Sequence, residues 1–65
     1  MVAKTLGARI REARERRILT QAELANELGV HVRSIQDYEA DRATPRQALR
    51  RRILSWLADA EQIPA

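Results

Sequence analysis

Sixty-five residues, 45% of them apolar, suffice for one small folded unit, and a chain of that size buries only about 60% of its unfolded surface. The absence of cysteine excludes a disulfide framework and a thiolate metal site, and no apolar run approaches the length of a membrane span. The net charge of +3 is unevenly spread. Residues 1–17 carry Lys4 and five arginines against Glu12 and Glu15, residues 18–41 carry Arg33 against five carboxylates, and residues 42–65 carry five arginines against Asp59 and Glu61. Two basic blocks flank an acidic middle. Such flanks suit a polyanion, although solvated helices give the same pattern.

Abundant alanine, leucine and arginine with few β-branched residues predict an all-α fold. No repeat, low-complexity segment or linker interrupts the sequence, so a single domain over 1–65 is expected. With no signal-peptide pattern, the expected location is the cytoplasm.

The first helix is predicted over 6–17, with Thr5 as its N-cap. Leu6, Ile10 and Ala13 recur at spacings of four and three and form one apolar stripe. Glu12 and Arg16 stand four apart, acid first, and are expected to pair on the solvent side.

The second helix, 21–28, has the strongest local signals. Thr20 and Glu23 make a capping box, and Leu19 with Leu24 can close a hydrophobic staple around it. Gly29 supplies the left-handed residue that ends the helix. Glu27 has no partner on its own helix and is expected to be a spectator.

A third helix follows over 32–39, with Val30 and Ile35 placed for a second staple around His31, a poor cap. Ile35 and Tyr38 point inward, leaving Val32, Arg33, Gln36, Asp37 and Ala40 outside. The fourth helix is predicted over 45–60, with Pro45 at its first position. Leu49, Ile53, Trp56, Leu57 and Ala60 form its stripe, and Pro64 and Ala65 are expected to fray.

Two short helices joined by a glycine turn form a helix-turn-helix. The residues LTQAELANELGV at 19–30, SIQDYE at 34–39 and Pro45, with a looser match in ARIREARERR at 8–17, resemble the lambda-repressor/Cro-like, or xenobiotic-response-element, family. The resemblance implies a compact four-helix domain that places helix 32–39 in the major groove of double-stranded DNA. It puts Val32, Arg33 and Asp37 at the bases with Gln36 beside them, Gln21 at a phosphate, and Arg42 and Arg46 at the backbone or minor groove, and it counts Thr20 and His31 among the DNA-binding residues. It also implies an architectural pair between Arg14 and Glu39, and a bacterial or phage-encoded regulator, a homodimer on a palindromic operator. Two positions depart from the family pattern: Ile18 and Asp41 stand where glycine is common.

Each assignment has a plainer rival. Arg33 either forks onto guanine or is an exposed arginine paired with Asp37. Asp37 either accepts from cytosine or orients Arg33, and Val32 either touches a thymine methyl or is a surface valine. Arg50, Arg51 and Arg52 cannot share one face, because successive helical residues lie about 100° apart. His31 has no neighbouring ligand for a metal, and no nucleophile–base pair or phosphate loop appears, so neither cofactor nor enzymatic activity is expected. Three readings stay open. One is a transcriptional repressor; a second is an antitoxin or phage-type accessory regulator with a protein partner; the third is a purely protein-binding use of the fold. Trp56 either packs in the core, the favoured reading, or joins Leu57 in a dimer or partner interface.

Overall fold

The computed structural model describes residues 4–62; the fraying expected at Pro64 and Ala65 lies outside them. Four helices follow in order: α1 Leu6–Arg16, α2 Gln21–Leu28, α3 Val32–Glu39 and α4 Gln47–Glu61, with no strand among the described residues. Their apolar stripes meet in one core, where Ile10, Leu24, Ile35, Ile53 and Leu57 are fully buried. Leu19 and Val30, each just before a cap, pack against that core as the staples require. α1 packs on both α3 and α4, and α2 packs on α3.

Three of the helices stop by one device. After α2, Val30 N–H donates to the Ala25 carbonyl at 2.9 Å and Gly29 N–H to Asn26 at 3.3 Å, with Gly29 at φ 72°. This is the Schellman arrangement. The same two bonds close α1, from Leu19 to Arg14 and from Ile18 to Glu15, both 3.0 Å. They close α3 as well, from Arg42 to Asp37 at 2.9 Å and from Asp41 to Tyr38 at 3.1 Å. The device needs a left-handed residue, so Ile18 and Asp41 stand at φ 57° and 59°. The chain therefore turns where the family turns, without the glycine.

Asp41 gains compensation for this conformation. The Thr5 hydroxyl donates to Asp41 Oδ2 at 3.0 Å while accepting from Ala8 N–H at 3.1 Å, so one hydroxyl caps α1 and ties it to the end of α3. The carboxylate also lies beside the positive N-terminal end of α1. Gly7 makes this approach feasible, because a Cβ there would collide with the Tyr38 carbonyl oxygen and lie 2.6 Å from Asp41 Oδ1. Ile18 has no such support: its side chain is 89% exposed.

Several expectations shift. α4 begins at Gln47 rather than Pro45, because Arg46 is extended (ψ 159°) and serves as the cap, while Pro45 is buried in the connection before it. α1 ends one residue early, at Arg16, where the left-handed turn begins. Glu12 pairs with Lys4 at 2.6 Å rather than with Arg16, whose guanidinium reaches the Glu61 carbonyl at 3.5 Å. Glu27 is no spectator, since Arg17 binds it at 3.0 Å and also lies 5.9 Å from the centre of the Trp56 ring. Across the other end, Arg9 grips Glu61 with two bonds, 3.1 and 2.9 Å, and fastens α1 to α4.

The left-handed conformation costs a non-glycine residue about 1–2 kcal/mol, partly offset in glycine by its extra unfolded-state freedom. Ile18→Gly is therefore expected to stabilise the fold by about 1 kcal/mol, or about 4–8 °C in melting temperature for a domain this small. A thermal melt unchanged or lowered by the substitution would refute the strain.

A second prediction concerns acid. The Thr20 backbone N–H holds the Glu23 carboxyl below its ordinary range, and the hydrogen bonds from Arg9 do the same for Glu61. Groups whose folded pKa is depressed give stability that is present above the ordinary carboxylate range and lost as pH falls through the folded value. Melting temperature should fall on acidification through that window, and less steeply in a Glu23→Gln, Glu61→Gln double variant. Parallel curves for the two proteins would count against these contacts.

Candidate nucleic-acid interface

The α2–turn–α3 unit is built as its sequence dictates. Glu23 N–H donates to the Thr20 hydroxyl oxygen at 3.0 Å and Thr20 N–H to Glu23 Oε1 at 2.8 Å, completing the capping box. His31 caps α3 only by its extended backbone, with no side-chain bond. Ile35 is buried, so the helix rotates Val32, Arg33 and Gln36 outward, all three exposed together with His31 and Thr20. Asp37 and Gln21 are half-buried at the margins of this face.

The orientation of α3 depends on Arg14. Its Nε and Nη2 donate to the two oxygens of Glu39 at 2.7 and 3.2 Å, and its Nη1 donates to the Leu19 carbonyl at 2.8 Å. The side chains are only 14% and 5% exposed, so this is a buried pair with its geometry satisfied. Glu39 raises the pKa of Arg14 through these bonds, which outweigh the opposing effect of burial. Gln21 Nε2 adds a bond to Glu39 Oε1 at 3.2 Å. One amide donor of Gln21 is thus committed to architecture, at the edge of a groove lined by Arg11, Gln36 and Ala40.

Every carboxylate of the stretch Thr20–Glu39 is engaged. Glu23 serves the cap, Glu27 binds Arg17 and Glu39 binds Arg14. Asp37 Oδ1 lies 3.3 Å from both Arg33 Nε and Arg42 Nη2. The structure thus brings Arg42 to the side of α3, a contact the sequence reading missed. By contrast Arg46, Arg50, Arg51 and Arg52 are exposed and have no ion pair with a carboxylate among the described residues. Uncompensated positive charge lies just past α3, over the first turns of α4.

Trp56 and Leu57 take the core alternative of the two that the sequence left open. Leu57 is fully enclosed by its own chain, and Trp56 is 8% exposed with an indole N–H that finds no partner among the described residues. Because α4 turns its stripe onto α1, neither offers an apolar surface to a second molecule; among the described residues the exposed large apolar side chains are Ile18, Val32 and Leu54. Gly7 is another position the sequence reading passed over. A glycine inside a helix costs about 1 kcal/mol against alanine, and that penalty was a signal of close packing. Among the described residues no group of three or more His, Asp or Glu side chains is arranged to hold a metal.

Removing one member of a buried ion pair strands the other and costs about 3–5 kcal/mol. Arg14→Leu is expected to reduce stability by about 3 kcal/mol or more, because Glu39 and the Leu19 carbonyl both lose their partner. Adding Glu39→Leu should recover part of that loss. Urea titration of both variants tests this; additive losses would deny the coupling.

A family model described as helix-turn-helix, of the lambda-repressor/Cro-like kind, matches residues 10–55. Neither the comparison with curated proteins nor that with solved structures gives a match. The matched span runs from the buried Ile10 of α1 through the α2–turn–α3 unit and into α4, so it contains most of the core and the outer face of α3 described above. The chain belongs to the lambda-repressor/Cro-like helix-turn-helix family, a family of DNA-binding regulators.

Proposed function

We propose that this chain is a sequence-specific transcriptional regulator of double-stranded DNA, a repressor that inserts α3 into the major groove and acts without enzymatic chemistry. The observation that carries the reading is a helix face coupled to free positive charge. The α3 face presenting His31, Val32, Arg33 and Gln36 is followed along the chain by Arg46, Arg50, Arg51 and Arg52, exposed arginines with no carboxylate partner among the described residues. Arg33 reads a base, Gln36 and Val32 contact the neighbouring edges, and Thr20 and Gln21 meet a phosphate at the N-terminus of α2. Arg46, with Arg42 beside it, supports the backbone. A homodimer on a palindrome, with half-sites about one helical turn apart, completes the reading.

The strongest support for a protein partner is Ile18, a large apolar side chain 89% exposed in a left-handed turn. That observation keeps the accessory-regulator reading in play. The purely protein-binding reading loses its anchor with the burial of Trp56 and Leu57.

Binding to a duplex should weaken steeply with salt, in proportion to the phosphates neutralised. Arg33→Ala is expected to relax specificity at one position, by about 1–3 kcal/mol of discrimination. Arg46→Ala should instead weaken all sequences alike and lower the salt slope by about one. Selection from a random duplex pool, followed by titration at several salt concentrations, measures all three and reports palindromy. Salt-independent binding, or no binding to any duplex, would sink the proposal.

A further inference from the structure

Asp37 is the least expected feature of the outer face of α3. It is the only acidic side chain at that surface not consumed by a cap or a buried pair, and it points at two arginines at once. Resting on the reading that α3 enters the major groove, we infer that Asp37 is a positioning residue that makes Arg33 specific for guanine.

The geometry supports this in three ways. Arg33 engages Asp37 Oδ1 through Nε, at 3.3 Å, with the arginine side chain 77% exposed. Both terminal amino groups of its guanidinium have no bond among the described residues, so a pair of parallel donors faces outward. In the major groove only guanine offers two acceptors side by side, O6 and N7, and that is the edge two parallel donors fit.

Restraint is the second point. An unheld arginine samples many rotamers and must be ordered on binding, whereas one tethered at Nε has lost part of that freedom already. The tether itself is fixed. Asp37 is 26% exposed, and it holds Arg42 twice: Oδ1 contacts Arg42 Nη2 at 3.3 Å, and its carbonyl accepts the Arg42 N–H at 2.9 Å. That main-chain bond belongs to the turn closing α3, so Arg42 stands where Asp41 adopts its left-handed conformation.

The third point is exclusion. A carboxylate beside Arg33 repels phosphates and the acceptor edges of wrong bases, which is the repulsive element specificity requires. Arg42 offsets that repulsion enough for the helix to approach DNA. Asp37 is thus expected to lower binding to random sequence while raising discrimination at one base.

The test uses the wild-type chain, Arg33→Ala, Asp37→Asn and Asp37→Ala, with thermal melts to establish that each is folded. Each is first selected on a random duplex pool. Each is then titrated against the wild-type site and against versions changed at the base that Arg33→Ala ceases to select. The expected result is a guanine at that base, with the preference for it reduced about tenfold in Asp37→Ala. Random duplex should be bound several-fold more tightly by the same variant, since one negative charge is gone. Asp37→Asn keeps an oxygen for Arg33 and is expected to fall between. Undiminished guanine preference in both Asp37 variants would overturn the inference, as would a loss spread equally over every position. A wild-type site with no Arg33-dependent guanine would overturn it too, while leaving the DNA-binding reading intact. A wild-type chain that selects no sequence defeats that reading itself.

Discussion

The bond between Arg14 and Glu39 sets the arrangement on which the rest depends. One guanidinium spans three parts of the chain: α1, where it originates; the α1–α2 turn, whose Leu19 carbonyl it satisfies; and the end of α3, whose last residue it grips. Gln21 brings the first residue of α2 to the same carboxylate. The start of α2 and the end of α3 are therefore fixed to one point, and the angle between them follows. A domain this small has a net stability of order 5–15 kcal/mol, so a contact whose rupture costs about 3 kcal/mol is a large fraction of the whole.

The three left-handed helix ends show how the fold balances strain. Gly29 adopts its conformation without cost. Asp41 bears a Cβ, yet the Thr5 hydroxyl and the N-terminal end of α1 are arranged around its carboxylate, and Gly7 gives the space they need. Ile18 bears the same constraint with an exposed side chain and no compensating bond from that side chain. The turn is nevertheless imposed, because the last turn of α1 takes the Ile18 and Leu19 N–H groups, while just beyond Ile18 Arg14 binds the Leu19 carbonyl and the capping box begins at Thr20. Strong neighbours over-determine a poor residue.

What could be read from the sequence divides by distance along the chain. Thr20, Glu23 and Gly29 act on backbone groups within one turn, so residue identity almost fixes the structure of α2 without reference to the rest. The core stripes follow from periodicity for the same reason. Arg14 with Glu39 was legible only through resemblance, being 25 residues apart. The pair of Arg33 with Asp37 could be read from its spacing of four, but the partners of Glu12 and Glu27, and the second partner of Asp37, Arg42, were not legible. Lys4 reaches Glu12 from the segment before α1, Arg17 reaches Glu27 from the end of α1, and Arg42 reaches Asp37 from the turn after α3, while other arginines lay as near in sequence. Local preference fails at Pro45 as well: it fits a first helical turn, but its ring is buried in the connection and Arg46 is extended, so α4 begins at Gln47. For Trp56 and Leu57 core and interface both stayed open, because an apolar stripe does not say whether it faces its own chain or another.

The charge pattern gains a different meaning once these partners are known. Counted along the sequence, Thr20–Glu39 carries Arg33 against four carboxylates, an unpromising surface for a polyanion. In the fold, Arg17 and Arg14 come from outside the stretch to neutralise Glu27 and Glu39, Arg42 joins Arg33 at Asp37, and Glu23 is held by backbone. The basic block of residues 1–17 is thereby partly consumed as internal counter-charge, and it contributes less attraction than its composition suggests. Attraction falls instead to Arg46, Arg50, Arg51 and Arg52, which follow α3 directly. Because Coulomb attraction between exposed charges acts over about a Debye length of 10 Å at 0.1 M salt, arginines outside α3 add attraction for a duplex without competing for the base edges. On the proposed reading, sequence discrimination and affinity then reside in different side chains of one small domain, and Asp37 is where the two meet.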